Sequence, residues 1–279
     1  MSNHMAHSEK TVGFIGAGNI AQSIIGGMIK QDWQASQIIA SAPSQKTRAS
    51  INNQFGVAGS GSNLEVAKAD IVVLCVKPHL IKAVLVEIAS ALKERQSLLI
   101  SVAAGVTMSH LNQWVDAPQA IIRSMPNTPS LIGVGACGLF ANSKVTSQQK
   151  ITAQSIFQSV GIVEWVEQEE LINTIIAISG SGPAYYFLFM EAMKDAGVIL
   201  GLTPEIAERL TIQTALGAAK MAILRDANVT QLRQKVCSPG GTTEQAIRTF
   251  QNGGLAELVK QSMESAVKKA QKMAEELSK

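Results

Sequence analysis

Short apolar runs recur between Thr11 and Val166, and segments of helical spacing lie between them. The runs are Thr11–Ile15, Gln37–Ala40, Ile71–Val76, Ser97–Val102, Ala120–Ser124, Ala136–Phe140 and Ile162–Val166. Strands this apolar are covered on both faces, as in a parallel sheet with helices on each side. The helical segments include Ile20–Lys30, Gln45–Phe55, Leu80–Ala91 and Ser147–Ser159. The pattern predicts an α/β fold with a doubly wound parallel sheet.

The strand pattern ends at Val166, and the rest of the chain is predicted to be helical, including one helix over Leu171–Ile178. Several of these helices are apolar around their whole circumference, so each must bury a second face. A second copy of the same helices would cover it, which predicts a homodimer; coverage by the first domain is the alternative. We therefore predict an α/β domain at 11–166 and a helical dimerisation domain at 167–279.

The composition argues against several classes of partner. The chain is 46% hydrophobic and 16% charged, its net charge is +3, and it has no block of like charges, so nucleic-acid binding is not expected. No apolar run reaches membrane-spanning length without a charge or a turn signal. The 3 cysteines are widely spaced and form no metal-ligand pattern, which predicts no metal and a cytoplasmic location. Residues 1–10 are predicted to be a disordered tail or an expression remnant.

A G-x-G-x-x-A stretch at Gly16–Ala21 directly follows the first predicted strand and opens a helix. Gly16 would allow the tight turn, Gly18 would let a pyrophosphate approach the backbone, and Ala21 would keep helix and strand close. The N-terminus of the helix offers free amide groups and a positive dipole end. The context predicts a dinucleotide site; a glycine-rich turn without a ligand is the alternative.

The second strand indicates which dinucleotide is used. An NAD site places an acid after this strand, yet no Asp or Glu follows Gln37–Ala40 until Glu65. Ser41, Ser44 and Lys46 suit a 2′-phosphate instead, so NADPH is the predicted cofactor, with NADH as the alternative. Lys46 and the nearby Arg48 could equally be surface charges of the next helix.

Two later strands end in loops that should lie at the same edge of the sheet. These loops are Val76-Lys77-Pro78 and Ala103-Ala104-Gly105. Open α/β sheets hold their ligands at the carboxyl ends of the strands, so both loops are predicted to line the cofactor. Lys77 is also a predicted catalytic residue, with anchoring of the cofactor as its alternative role.

The order of these motifs resembles the pyrroline-5-carboxylate reductase family. The motifs that carry the resemblance are Gly16–Ala21, Val76–Pro78, Ala103–Gly105, Met125–Pro129, Ser179–Pro183 and Ser238–Thr243. The resemblance runs from Thr11 to the last helix. It implies an N-terminal Rossmann-type domain followed by an all-α dimerisation domain, with higher assemblies built from dimers. It also implies reduction of L-1-pyrroline-5-carboxylate to L-proline by NAD(P)H, the last step of proline biosynthesis.

The resemblance also implies which residues form the site. Those implied for the cofactor are Gly16, Gly18, Asn19, Ile20, Ser41, Asn63, Lys77 and Ala103–Gly105. Those implied for the substrate are Asn127, Gly240, Gly241, Thr242 and Thr243.

Reduction of an imine makes modest chemical demands on the protein. Hydride reaches the carbon of the C=N bond, so the protein must orient the ring and supply one donor to nitrogen. The hydroxyl of Thr243 is the predicted donor, and the amides of Gly241 and Thr242 are predicted to hold the substrate carboxylate. A role for Thr242 or Thr243 as the helix N-cap is the alternative.

Histidine is not expected to act in the reaction. His4 and His7 fall in the predicted tail, His110 begins a helix, and His79 is expected to have a capping or surface role.

Two other functions stay open at this point. A hydroxyacid dehydrogenase of the 6-phosphogluconate type shares the two-domain plan but uses a Gly-Gly-x-x-x-Lys helix, which this sequence lacks. A catalytically silent NADP-binding regulator is the other, and the presence of Lys77 and Thr243 argues against it.

Overall fold

The computed structural model describes residues 10–115, 117–224 and 228–277. The predicted tail, apart from Lys10, lies outside the described residues. The chain divides into two compact units. The first contains the described residues up to Ser181 together with those from Ala266 onward, and the second contains the described residues of Gly182–Ser265.

An eight-stranded sheet forms the centre of the first unit. The strands are β1 (Val12–Ile15), β2 (Ile38–Ser41), β3 (Ala58–Ser60), β4 (Ile71–Leu74), β5 (Leu98–Ser101), β6 (Ile121–Met125), β7 (Gly135–Ala141) and β8 (Gly161–Trp165). Their order is β3-β2-β1-β4-β5-β6-β7-β8. All pairs are parallel except β6 with β7, whose short connection holds only a 3₁₀ helix at Thr128–Ile132. Such a connection is too short for a crossover helix, so β7 returns antiparallel to β6.

Helices cover both faces of this sheet, as the apolar strands predict. They are α1 (Asn19–Lys30), α2 (Gln45–Phe55), α3 (Asn63–Val66), α4 (Ile81–Arg95), α5 (Met108–Val115) and α6 (Ser147–Gln158). The core forms two buried clusters, and successive residues of β4 alternate between them: Val73 joins one, Val72 and Leu74 the other. This alternation is the period of two expected of a strand buried on both faces.

The second half of the chain is helical, as the sequence predicts. They are α7 (Leu171–Ile175), a π-helix (Ile176–Gly180), α8 (Gly182–Ile199), α9 (Pro204–Ile223), α10 (Val229–Val236), α11 (Thr242–Asn252) and α12 (Leu255–Leu277). The helix predicted over Leu171–Ile178 is present, but its second half is a π-helix that continues to Gly180. The Ser181 amide donates to the carbonyl of Ile176 at 2.7 Å, which widens the turn to five residues.

Side-chain contacts explain where the first unit ends. Ile175 packs directly over Gly138 of β7, and Met273 near the end of α12 lies against Gly105. The first unit therefore includes residues from the predicted helical domain. Among the described residues, none from Gly182–Ser265 belongs to either buried cluster.

The described residues contain neither a membrane-spanning helix nor a cluster of metal-binding side chains. No helix there is long and apolar enough to cross a membrane. The same residues contain no group of three or more His, Cys, Asp or Glu side chains that could hold a metal ion.

Candidate active site

The sheet order creates a crevice at the carboxyl end of β1. The chain runs from β1 to β2 on one side and later places β4 on the other, so β1 and β4 flank a topological switch point. The Gly16–Gly18 turn follows β1, and Val76–Pro78 and Ala103–Gly105 follow β4 and β5. Because these strands are adjacent and parallel, the structure brings the three predicted loops to one edge.

Gly16 makes the turn that closes β1. Its φ is +91°, and a Cβ there would lie 2.8 Å from Cγ1 of Val76 and 2.9 Å from the carbonyl carbon of Cys75. Its amide donates to the carbonyl of Ser41 at 3.1 Å. Only glycine fits this backbone conformation and these close contacts, so Gly16 joins the C-terminal ends of β1, β2 and β4.

Gly18 has a different environment at the start of α1. It is the N-cap residue with φ −76°, and a Cβ there would have no protein atom within 4 Å. The first amides of α1, at Asn19 and Ile20, have no acceptor within the helix. Open space in front of free amides at a helix N-terminus fits a pyrophosphate. A dinucleotide therefore fits this crevice.

Ser41 and Asn63 meet at the end of β2. The hydroxyl of Ser41, whose side chain is 2% exposed, donates to Oδ1 of Asn63 at 2.7 Å. Nδ2 of Asn63 donates to Oε2 of Glu87 at 2.9 Å. Glu87 has no motif around it in the sequence, so this contact could not be anticipated. The contacts fix the orientation of the Asn63 amide beside the crevice.

The other residues predicted for a 2′-phosphate lie on the turn after β2. Ser44 is the N-cap of α2, and its hydroxyl oxygen accepts from the amide of Thr47. Lys46 is exposed in the first turn of α2. Arg48 is not an ordinary surface charge: its Nη1 donates to the carbonyl oxygens of Ala42 and Pro43 at 2.6 and 2.8 Å. Arg48 therefore shapes the turn that carries Ser44 and Lys46.

Lys77 and its neighbours lie at the mouth of the crevice. Lys77 is exposed and precedes the 3₁₀ helix Pro78–Leu80, so its ammonium group is accessible from solvent. His79 is also exposed, as expected for a surface role. Burial of the Cys75 thiol raises its pKa to about 12, which keeps it protonated and unreactive.

Asn127 lies at the junction between β7 and the π-helix. Its Oδ1 accepts from the amide of Ala136 at 2.9 Å, and its Nδ2 donates to the carbonyl of Ser179 at 3.0 Å. Both ends of this amide therefore bind protein groups. The contacts join the Met125–Pro129 motif to the Ser179–Pro183 motif, two of the motifs that carry the family resemblance.

The Ser238–Thr243 loop in the second unit leads into α11. Gly240 has φ +70°, and the N-cap of α11 is Gly241, which makes no side-chain cap. The amide of Gly241, which is predicted to hold a substrate carboxylate, donates to the carbonyl of Ser238 at 2.9 Å in this turn. The amides of Thr242 and Thr243, in the first turn of α11, have no acceptor within the helix.

The hydroxyl groups of Thr242 and Thr243 do not cap α11. Neither Thr242 nor Thr243 is the N-cap, so the alternative role considered for them does not apply. Oε2 of Glu244 instead accepts from the Gly240 amide at 2.7 Å, and Arg248 donates to its Oε1 at 2.9 Å. The Gly240 amide and then the Arg248 charge lower the pKa of Glu244. An acid in the first turn of α11 was the only sequence signal for this contact.

Known proteins resemble this chain over nearly its whole length. A family model for pyrroline-5-carboxylate reductase dimerisation matches residues 169–273, and one for coenzyme F420-dependent NADP oxidoreductases matches residues 11–105. A pyrroline-5-carboxylate reductase from Pseudomonas aeruginosa is 47% identical over 271 residues, covering 97% of this chain and 99% of the relative.

Solved structures agree with this match. A pyrroline-5-carboxylate reductase from Coxiella burnetii superposes with a TM-score of 0.92 at 45% identity, covering 95% of this chain and 98% of the other. A Plasmodium falciparum pyrroline carboxylate reductase with NADP bound gives 0.83 at 32% identity, with the same coverage of 95% and 98%. The chain belongs to the pyrroline-5-carboxylate reductase family.

Proposed function

We propose that this chain reduces L-1-pyrroline-5-carboxylate to L-proline with NADPH, the last step of proline biosynthesis, and that NADH can replace NADPH. The observation that carries the proposal is the 47% identity over nearly the full length of a reductase of this name. The glycine crevice at the switch point supports it, because it offers a dinucleotide both open space and free amides.

The cofactor residues that we propose lie around this crevice. They are Gly16, Gly18, Asn19, Ile20, Ser41, Ser44, Lys46, Asn63, Val76, Lys77, Pro78, Ala103, Ala104 and Gly105. Ser44 and Lys46 stand on one turn, where a hydroxyl and a cation suit a 2′-phosphate. Lys77 adds an accessible positive charge, which favours an anionic cofactor. When bound, NADPH supplies the hydride to the imine carbon.

The substrate residues that we propose act mainly by binding and orientation. The free amides of Thr242 and Thr243 hold the substrate carboxylate at the positive end of α11. The Thr243 hydroxyl has no hydrogen-bond partner among the described residues, which leaves it available to donate to the ring nitrogen. Gly240 and Gly241 shape the turn, and Asn127 positions the Ser179–Pro183 segment.

We also propose that the chain works as a homodimer through its helical unit, with higher oligomers built from such dimers. The family model for dimerisation over residues 169–273 supports this assembly. The free thiols of Cys75, Cys137 and Cys237 agree with a reducing cytoplasm, which is the location we propose.

Measuring NADPH oxidation on addition of pyrroline-5-carboxylate tests the function. We expect steady oxidation by the natural chain and kcat reduced about tenfold to a hundredfold in Thr243→Ala, the effect of one hydrogen bond to a developing charge. Thr243→Ser keeps the hydroxyl and should retain most of kcat.

Two results would contradict parts of this proposal. Absence of NADPH oxidation by the natural chain, with hydroxyacids turned over instead, would overturn the function. An unchanged kcat in Thr243→Ala would overturn the donor role alone.

A further inference from the structure

One carboxylate in the first unit accepts hydrogen bonds from two distant segments. Oε1 of Glu169, in the turn between β8 and α7, accepts from Nη1 of Arg123 at 2.5 Å. The same oxygen accepts from the backbone amide of Met108 at 2.6 Å. Glu169 therefore joins β6, the first residue of α5 and the start of the helical half of the chain.

The Met108 amide lies three residues beyond Gly105, the last residue of the cofactor loop Ala103–Gly105. At the start of the loop, the Ala103 amide donates to Oγ of Ser101 at 3.4 Å. Gly105 has φ +78°, and a Cβ there would lie 3.0 Å from Cβ of Met273, so little space is free around it. Ser101 of β5 thus holds the start of the loop, and Glu169 holds the chain at Met108, just beyond its end.

Arg123 explains why the carboxylate stays in place. Its side chain is 4% exposed on β6, and burial lowers its pKa while the Glu169 charge raises it. A buried guanidinium needs an ionised partner, and Glu169 is the carboxylate that it contacts. The pairing fixes the Glu169 oxygen where the Met108 amide can reach it. An ion pair between β6 and the turn thus holds the first residue of α5, three residues beyond the Ala103–Gly105 loop at the carboxyl edge of the sheet.

We propose that Glu169 is a positioning residue for the reductase, which sets the conformation of the Ala103–Gly105 loop by accepting the Met108 amide while Arg123 holds the carboxylate. This inference rests on the proposed function, since that function places the cofactor on this loop. In this proposal Glu169 acts through the backbone of the loop and not on the reacting atoms. Its effect should therefore appear in cofactor affinity.

Two double variants separate positioning from mere stability. Both Arg123→Met/Glu169→Gln and Arg123→Met/Glu169→Leu remove the ion pair completely, so neither leaves a buried charge unpaired. The glutamine variant keeps an oxygen that can accept from Met108, and the leucine variant does not. We expect the glutamine variant to bind NADPH more tightly than the leucine variant, although without Arg123 its side chain is held less firmly than the carboxylate of the natural chain. The leucine variant should bind about tenfold more weakly, the scale of one lost hydrogen bond.

The readouts are the NADPH dissociation constant by fluorescence titration, the melting temperature, and kcat with the KM for each substrate. Equal NADPH affinity in the two double variants would overturn the proposal, whatever their melting temperatures. The dissociation constant needs no turnover. A natural chain that binds NADPH but fails to reduce pyrroline-5-carboxylate would therefore contradict the proposed function alone.

A third variant leaves the ion pair intact. Met108→Pro removes the amide donor at the first residue of α5, where proline is tolerated, and Met108→Leu is its control for side-chain packing. We expect weaker NADPH binding in the proline variant only. Natural affinity in Met108→Pro would overturn the proposal even if the leucine double variant did not fold.

Discussion

At the scale of single residues, Gly16 and Gly18 stand two positions apart and serve different purposes. Gly16 has positive φ and lies against the backbone of Cys75, so its lack of a side chain is required by the fold. Gly18 has an ordinary φ and faces open space, so the fold alone would accept a side chain there. Packing therefore explains the glycine at 16, and we propose that the approach of a ligand explains the glycine at 18.

This difference predicts opposite effects of alanine. Gly18→Ala should leave the melting temperature unchanged and raise the KM for NADPH by about tenfold, because the methyl group occupies the space of the pyrophosphate. Gly16→Ala should cost about 1–3 kcal/mol of stability through strained backbone. Thermal melting and NADPH titration of both variants test the pair. Natural NADPH affinity in Gly18→Ala would contradict the assignment of the crevice.

The sequence predicts residues of this kind well where the signal is local. Gly16 and Gly18 are each singled out by a few neighbouring residues. Asn63 and Asn127 were named only through the family resemblance, and their partners Ser41 and Ser179 are 22 and 52 positions away. Glu169 was not anticipated at all, because its partners come from other segments of the folded chain. Local pattern carries no information about such pairs.

At the scale of helices and strands, Asp70 joins the starts of β1 and β4 to the end of α4. Its Oδ2 accepts from both the amide and the hydroxyl of Thr11 at 2.9 Å, and Oδ1 accepts from Nη2 of Arg95 at 2.9 Å. Burial would raise the pKa of Asp70, but the Thr11 hydrogen bonds and the charges of Arg95 and Lys10 outweigh it and lower the pKa.

The lowered pKa predicts how the stability depends on pH. A carboxyl whose pKa is lower in the folded state stabilises it above the unfolded pKa, near 3.9, and loses that effect as the pH falls through the folded pKa. Asp70→Asn should therefore lower the unfolding free energy by about 1–2 kcal/mol at neutral pH. The difference from the natural chain should shrink below about pH 4. Urea denaturation at fixed protein concentration tests this, and a difference independent of pH would contradict it.

The sequence also predicts most elements, and the exceptions have physical reasons. Each apolar run became a strand. In β1, β4 and β5 every residue is buried, and burial on both faces accounts for the continuous hydrophobic signal there. β3 was missed since Ala58–Ser60 consists of small residues with weak strand preference. The π-helix at Ile176–Gly180 was missed because one wide turn barely alters the helical spacing of apolar residues.

At the scale of the whole molecule, the apolar surface is divided unequally between the two units. Both buried clusters consist of residues from the first unit. The helices of the second unit instead expose large apolar side chains, among them Tyr186, Phe187, Leu188, Leu210 and Ile223. A surface of this kind indicates an interaction site. The sequence predicted an interaction surface here, because several of these helices are apolar around their whole circumference. That pattern does not show which faces of the helices stay exposed in the folded chain.

A charge on this surface should therefore separate the proposed dimer. Leu188 of α8 is 66% exposed in the single chain, and Leu188→Glu would place two unpaired carboxylates in a homodimer interface. Ile151→Glu is the matched control, because Ile151 is 55% exposed on α6 of the first unit. We expect light scattering after size exclusion to give a dimer mass for the natural chain and for Ile151→Glu, and a monomer mass for Leu188→Glu.

The melting temperature of the natural chain should also rise with protein concentration, since only the folded state dimerises. A natural chain that is monomeric at micromolar concentration would contradict the dimer, and an intact Leu188→Glu dimer would place the interface elsewhere.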